Sequence, residues 1–141
     1  MKISLFIVVA VLALATPVSQ GAEPAPMPRI TPAELQARMG KDDGLVILDV
    51  RTPAEFAAGH VPGARNVPHD AVASRLPELT ALRDRPVVLY CRSGRRSALA
   101  AEQLRAAGFS RLLQLDGDFP GWDAAQRPVQ REPAAGASPT N

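Results

Sequence analysis

Hydrophobic and polar residues change rhythm several times along the chain, and each change predicts an element. Thr31-Pro32-Ala33-Glu34 places a hydroxyl three residues ahead of a glutamate with proline at the first helical position. That arrangement starts a helix, and Gly40 stops it. Leu45 to Val50 is an apolar run closed by Asp49, which predicts a strand buried on both faces. Thr52-Pro53-Ala54-Glu55 repeats the helix start, and Gly59 ends a short helix. After a loop punctuated by proline and glycine, Ala71 to Leu79 reads as another short helix, interrupted near Pro77. Pro86 to Tyr90 predicts a second buried strand, and Ser97 to Ala107 an alanine- and leucine-rich helix capped by Gly108. Arg111 to Leu115 gives a third strand, and Pro120 to Gln126 a last short helix. Alternation of this kind implies an α/β fold: one domain, with a small parallel sheet flanked by helices on both faces. Ligands of such sheets bind beyond the carboxyl ends of the strands.

The two ends have a different texture. Lys2 precedes an apolar run from Ile3 to Ala15, and thirteen residues fall short of the ~20 that a bilayer core requires. Residues 1–21 therefore read as a secretory signal peptide, with cleavage after Gly21 or Ala22, or alternatively after Ala15. An uncleaved anchor is the other reading. The leader predicts an exported protein, periplasmic or secreted, with no membrane association after cleavage. Residues 22–28, rich in proline and alanine, read as a linker, 29–128 as the folded domain, and 129–141 as a disordered tail. The fraying is expected from about Arg127 onward.

Composition narrows the chemistry. Of 141 residues 46% are hydrophobic, too many for a wholly disordered chain. The one cysteine excludes an internal disulfide framework. With two histidines beside it, a zinc cluster is also unsupported, so no metal is expected. A formal charge of +2 is weak grounds for nucleic-acid binding, and no aromatic–basic stripe supports it. Removing Lys2 with the leader brings the chain closer still to neutrality.

The lone cysteine stands where the fold puts a ligand. Cys91 follows the second strand directly, and Cys91-Arg92-Ser93-Gly94-Arg95-Arg96-Ser97 leads into the strongest helix. Gly94 supplies the positive φ that a tight curl needs. Backbone N–H groups in such a curl, with the helix terminus behind them, form an anion-binding nest that favours a thiolate. Arg92, Arg95 and Arg96 oppose the helix dipole and one another, at ~0.3–1 kcal/mol each, unless an anion offsets them. A buried inert thiol is the plain alternative, but an apolar pocket would not be edged with three arginines. An unpaired thiol in an oxidising compartment is accounted for by reactivity.

The loop resembles the active-site loop of the rhodanese sulfurtransferases, in which glycine and arginine stand third and fifth after the cysteine. Upstream, LDVRTPAEFAAGHVPGARNVP is similar to that family's first signature. Downstream, LDGDFPGW is similar to its second, which usually carries two adjacent glycines. Here Asp118 follows Gly117, and aspartate tolerates the left-handed region better than most residues. The likeness runs from about Thr31 to Pro128 and implies a single-domain member.

The resemblance implies thiosulfate sulfurtransferase activity without a cofactor. Cys91 attacks a small anionic sulfur donor such as thiosulfate, sulfite leaves, and cyanide or a thiol takes the sulfur from the resulting persulfide. A protein thiol is a further candidate acceptor. Arg92, Ser93, Gly94, Arg95, Arg96 and Ser97 are the expected substrate-binding residues. Arg96 matches the family arginine and either orients the donor or braces the loop, whereas Arg92 and Arg95 qualify on charge alone. Asp49 and Arg51 are expected to support the loop, most simply as an ion pair with each other, while Arg51 and Glu55 fix the loop over the sheet. His60 and Trp122 read as structural, and Phe56 as core. Two other functions fit the residues: a persulfide carrier or binding module for a partner protein, and a phosphatase or arsenate reductase on the same scaffold. The four residues between Cys91 and Arg96 make a smaller ring than phosphatase loops, which hold five.

Overall fold

The computed structural model describes residues 26–133. The leader assigned to residues 1–21 lies outside them, as do residues 22–25 of the linker and 134–141 of the tail. Among the described residues no helix is long and apolar enough to cross a membrane.

Five parallel strands run in the order β1-β5-β4-β2-β3: β1 (Arg29–Ile30), β2 (Val46–Asp49), β3 (Arg65–Asn66), β4 (Val87–Tyr90) and β5 (Leu112–Leu115). The predicted strands are β2, β4 and β5, and they form the middle of the sheet. β1 and β3 add an edge on either side. Each is only two residues long, too short to carry a period, and they exist because Gln114 and Asp49 offer them ladder partners.

Five helices cover both faces: α1 (Pro32–Arg38), α2 (Pro53–Ala58), α3 (Val72–Leu79), α4 (Arg95–Ala106) and α5 (Asp118–Ala124). Both TPAE segments fold as reciprocal caps: Thr31 and Thr52 accept from the N–H groups of Glu34 and Glu55, whose carboxylates answer the cap residues' own N–H. The helix through Pro77 is not interrupted. Pro77 deprives Ala73 of its N–H partner, but Ala73 is exposed, so the freed carbonyl faces solvent. Two further starts come earlier than expected: α4 begins at Arg95 instead of Ser97, and α5 at Asp118 instead of Pro120.

Alternation along the strands divides the core in two. Val46, Leu48, Val87 and Leu89 face Val72 and Leu79 of α3 and Ala100, Ala101 and Leu104 of α4. Ile47, Val88 and Tyr90 face Leu35 of α1 and Trp122 of α5. Cys91 continues the alternation of β4 and so points to the α4 side. Trp122 is fully buried and its indole N–H donates to the Pro128 carbonyl, the packing role expected of it.

The ordered chain continues past Pro128. Within the tail expected to fray, Val129 packs against the second core and Gln130 forms an antiparallel bridge with His60. The Glu132 N–H also donates to the Ala57 carbonyl at 3.1 Å. Proline content suggested disorder, but one valine and three backbone hydrogen bonds suffice to hold the segment. At the other end Met27, read as linker, packs on the first core, and the Pro28 carbonyl accepts the Gln114 N–H. A chain ending at Pro128 should unfold ~1–2 kcal/mol more easily than one ending at Pro133. Urea midpoints of the two truncations provide the comparison; equal values would show that the segment adds nothing.

Candidate active site

β4 is the central strand of the sheet, paired on both sides, and Cys91 follows its carboxyl end. Cys91 sits there with no exposed surface, beneath the curl that follows. Gly94 has φ 86°, the left-handed conformation expected, and its N–H donates to the Cys91 sulfur at 3.0 Å. Ser97, in the first turn of α4, is fully buried, and its hydroxyl oxygen has no hydrogen-bond partner. A buried hydroxyl without a partner is costly, and it suits a site completed by a ligand.

The three loop arginines part company. Arg96 turns to Glu55 of α2 in a two-pronged pair, 2.7 and 2.9 Å, and so braces the loop from the flank. Its hydrogen bonds to Glu55, offset by burial, hold the guanidinium pKa above its ordinary value, and the Cys91 sulfur adds to that. The same hydrogen bonds, together with those from Thr52, lower Glu55 to about 2. Arg92 and Arg95 are exposed. Arg92, Ser93 and Gly94 line an open depression of about 550 Å³ with Met27, Gln114 and Asp118; Arg95 does not. The depression stops short of the sulfur, which the loop covers.

Asp49 and Arg51 form a buried ion pair and touch none of the loop arginines. Arg51 also donates to the Gly59 carbonyl at 2.7 Å and lies over the rings of Phe119 and Tyr90. Burial lowers its pKa, but Asp49's hydrogen bonds and charge outweigh that and leave it raised. His60 is 2% exposed, with Nδ1 on the Phe56 carbonyl at 2.8 Å. It is structural, as expected. Phe56 is half-buried and stacks on His60 at 3.6 Å, so it is a flanking residue and not core.

One residue of the site was not among those the sequence singled out for chemistry. Asp118 is 7% exposed, and its Oδ1 accepts the Cys91 N–H at 2.8 Å and the Gln114 side-chain N–H at 2.7 Å. The Phe119 N–H donates to the Cys91 carbonyl at 3.1 Å. Both peptide groups of the cysteine are thus gripped by the start of α5. The departure Gly117-Asp118 was the available signal, and its turn does form: φ is 73° at Gly117 and 55° at Asp118. A side chain on Gly117 would approach the Gly121 backbone to 3.0 Å, so glycine is required there.

The Glu55–Arg96 brace has a pH signature. Folding lowers the Glu55 pKa from 4.5 to about 2, so its stabilisation is complete above ~pH 4.5 and is lost as pH falls toward 2. Glu55→Gln should cost ~1 kcal/mol at pH 6, the pair being partly screened, with the difference from wild type narrowing as pH approaches 2. Urea denaturation across that range measures it, and a constant difference would count against the brace.

Residues 31–125 match the rhodanese-like domain. A sulfurtransferase of Allochromatium vinosum is 37% identical over 95 residues, covering 67% of this chain and 87% of that protein. A thiosulfate sulfurtransferase, GlpE, of Pseudomonas putida is 38% identical, covering 66% and 83% of the two chains. Among solved structures, a thiosulfate sulfurtransferase from Pseudomonas aeruginosa superimposes with a TM-score of 0.69 at 27% identity, covering 75% of this chain and 20% of that one. A cysteine loop at the end of the central parallel strand and a match over both flanking signatures point the same way: the chain belongs to the rhodanese-like sulfurtransferase family.

Proposed function

We propose that the protein is a thiosulfate sulfurtransferase that moves sulfane sulfur from thiosulfate, or a similar small anionic donor, to cyanide or a thiol through a persulfide on Cys91. The observation that carries this reading is the Cys91 sulfur under a loop amide at 3.0 Å, with the unpartnered Ser97 hydroxyl buried in the adjoining helix turn. The likeness to proteins named as thiosulfate sulfurtransferases supports the choice of donor.

The chemistry divides one difficult transfer into two displacements. The Cys91 thiolate attacks the outer sulfur of thiosulfate, the S–S bond breaks, and its electron pair leaves with sulfite. The persulfide anion left behind takes a hydrogen bond from Gly94 N–H and one from the Ser97 hydroxyl. An acceptor thiolate or cyanide then attacks the terminal sulfur and restores Cys91. Because the sulfur is covered, the segment Arg92 to Arg95, largely exposed, shifts to admit the donor, and Arg92 at the depression draws the anion in. Arg96, committed to Glu55, holds the loop's far end, with its positive charge near the sulfur. No step calls for a cofactor. The leader pattern of residues 1–21 supports a periplasmic or secreted setting.

Mass spectrometry after thiosulfate treatment should find about 32 Da, one sulfur atom, added at Cys91, and Cys91→Ser should abolish both the adduct and thiosulfate:cyanide transfer. An unmodified cysteine at saturating thiosulfate would remove the proposal. Loading without release to cyanide or small thiols would instead mark a persulfide carrier.

A further inference from the structure

A buried carboxylate is an unexpected neighbour for a nucleophile that works as an anion. Asp118 Oδ1 accepts the Cys91 N–H at 2.8 Å, so its carboxylate sits on the backbone of the residue that carries the sulfur. Its Oδ2 lies 3.4 Å from where a Cβ on Gly94 would stand, which brings the carboxylate against the turn of the loop itself. It also lines the depression beside Arg92 and Ser93. The residue adopts φ 55°, a conformation that costs any side chain something.

We propose that Asp118 is the charge-setting positioning residue of the cysteine loop. Its hydrogen bond fixes the Cys91 backbone, and its negative charge biases the site toward singly charged persulfide donors over the thiosulfate dianion. The donor bias rests on the sulfur-transfer reading above; the effect on the thiolate does not.

The other charges around the site are largely spoken for. Arg96 is paired with Glu55, Arg29 with Asp116 at 2.8 Å, and Arg51 with Asp49. Arg92 and Arg95 remain, both exposed and therefore screened by water, whereas Asp118 is buried and acts at short range. Attack on thiosulfate gathers three negative charges: the thiolate and the dianion, which become a persulfide anion and a sulfite dianion. Attack on a persulfide RSS⁻ gathers two, and these become the enzyme persulfide and RS⁻. A fixed carboxylate opposes the first more than the second. Replacement by glycine, the usual residue of the second signature, removes the charge and the hydrogen bond together; replacement by asparagine removes the charge alone.

The test follows the ultraviolet thiolate band against pH in wild type, Asp118→Asn and Asp118→Ala, with Cys91→Ser as the blank. The chain has one cysteine and one tyrosine, and burial pushes the Tyr90 pKa far above its ordinary value, so the band reports Cys91. Asparagine keeps an acceptor for both hydrogen bonds. Asp118→Asn should lower the Cys91 midpoint. It should also raise kcat/KM for thiosulfate about tenfold, and that for cysteine persulfide, whose net charge is a single negative, less than about threefold. Asp118→Ala, which also loses the hydrogen bond, should lower the midpoint but impair turnover. A midpoint in Asp118→Asn that coincides with wild type would overturn the charge-setting role, whatever the turnover. Equal gains with both donors would overturn the bias. A shifted midpoint without transfer from either donor would uphold the role in thiolate control and refute the sulfur-transfer reading.

Discussion

The central strand Val87–Tyr90 has a neighbour on each edge and a packed core on each face, and that saturation governs the rest of the molecule. Every side chain along it is buried, so it has no freedom to shift in register. Where the ladder ends, the peptide groups of the next residue need partners from elsewhere. Cys91 finds them in the Asp118 carboxylate and the Phe119 N–H, both from the first turn of α5. Cys91 is therefore immobilised through its backbone, and only the loop beyond it is free to adjust. In the proposed transfer, a sulfur fixed in this way would meet its donor at small entropic cost.

Around that point the carboxyl edge of the sheet is secured by charge. The Asp49–Arg51 pair is buried, which is costly in itself, but Arg51 recovers part of that through the Gly59 carbonyl and two aromatic faces. In doing so it ties β2, the end of α2 and the start of α5 together. The Asn66 side chain donates to the Asp49 and Arg51 carbonyls at 3.0 Å, closing the edge by β3. Glu55 uses one carboxylate for two tasks, capping α2 and bracing Arg96. The polar residues of the first signature thus act as a scaffold for the loop, and none of them is hydrogen-bonded to the Cys91 sulfur.

Features coded within a few residues are legible in the amino-acid sequence alone. The two TPAE caps, the three central strands, the left-handed Gly94 and the position of Cys91 each follow from local pattern, and each is present. What escaped depends on contacts between distant segments. Local pattern leaves Arg96 open between orienting a donor and bracing the loop, and it is the pairing with Glu55, 41 positions away, that decides for the brace. Asp118 is 27 positions from the cysteine whose amide it holds. Its departure from the usual glycine is visible as an irregularity, but its hydrogen bonds to the Cys91 N–H and the Gln114 side chain are legible only in the fold. The docked segment after Pro128 escaped because proline-rich composition reports a weak local preference, which a few long-range hydrogen bonds override.

The way the chain enters the fold has a practical side. Pro26 and Met27 form part of the rim of the depression beside the cysteine loop, while the other end of the described chain is fastened near Ala57 and His60, at the end of α2. The two ends are therefore not equivalent as attachment points. A surface, tag or fused domain joined ahead of Pro26 stands beside the depression that the proposed donor would enter, and narrows the approach of anything large. The same attachment after Pro133 follows a segment fastened near Ala57 and His60 instead. For immobilising the protein or joining it to a sulfur-delivering partner, the choice of end decides whether that partner is presented to the loop or held away from it.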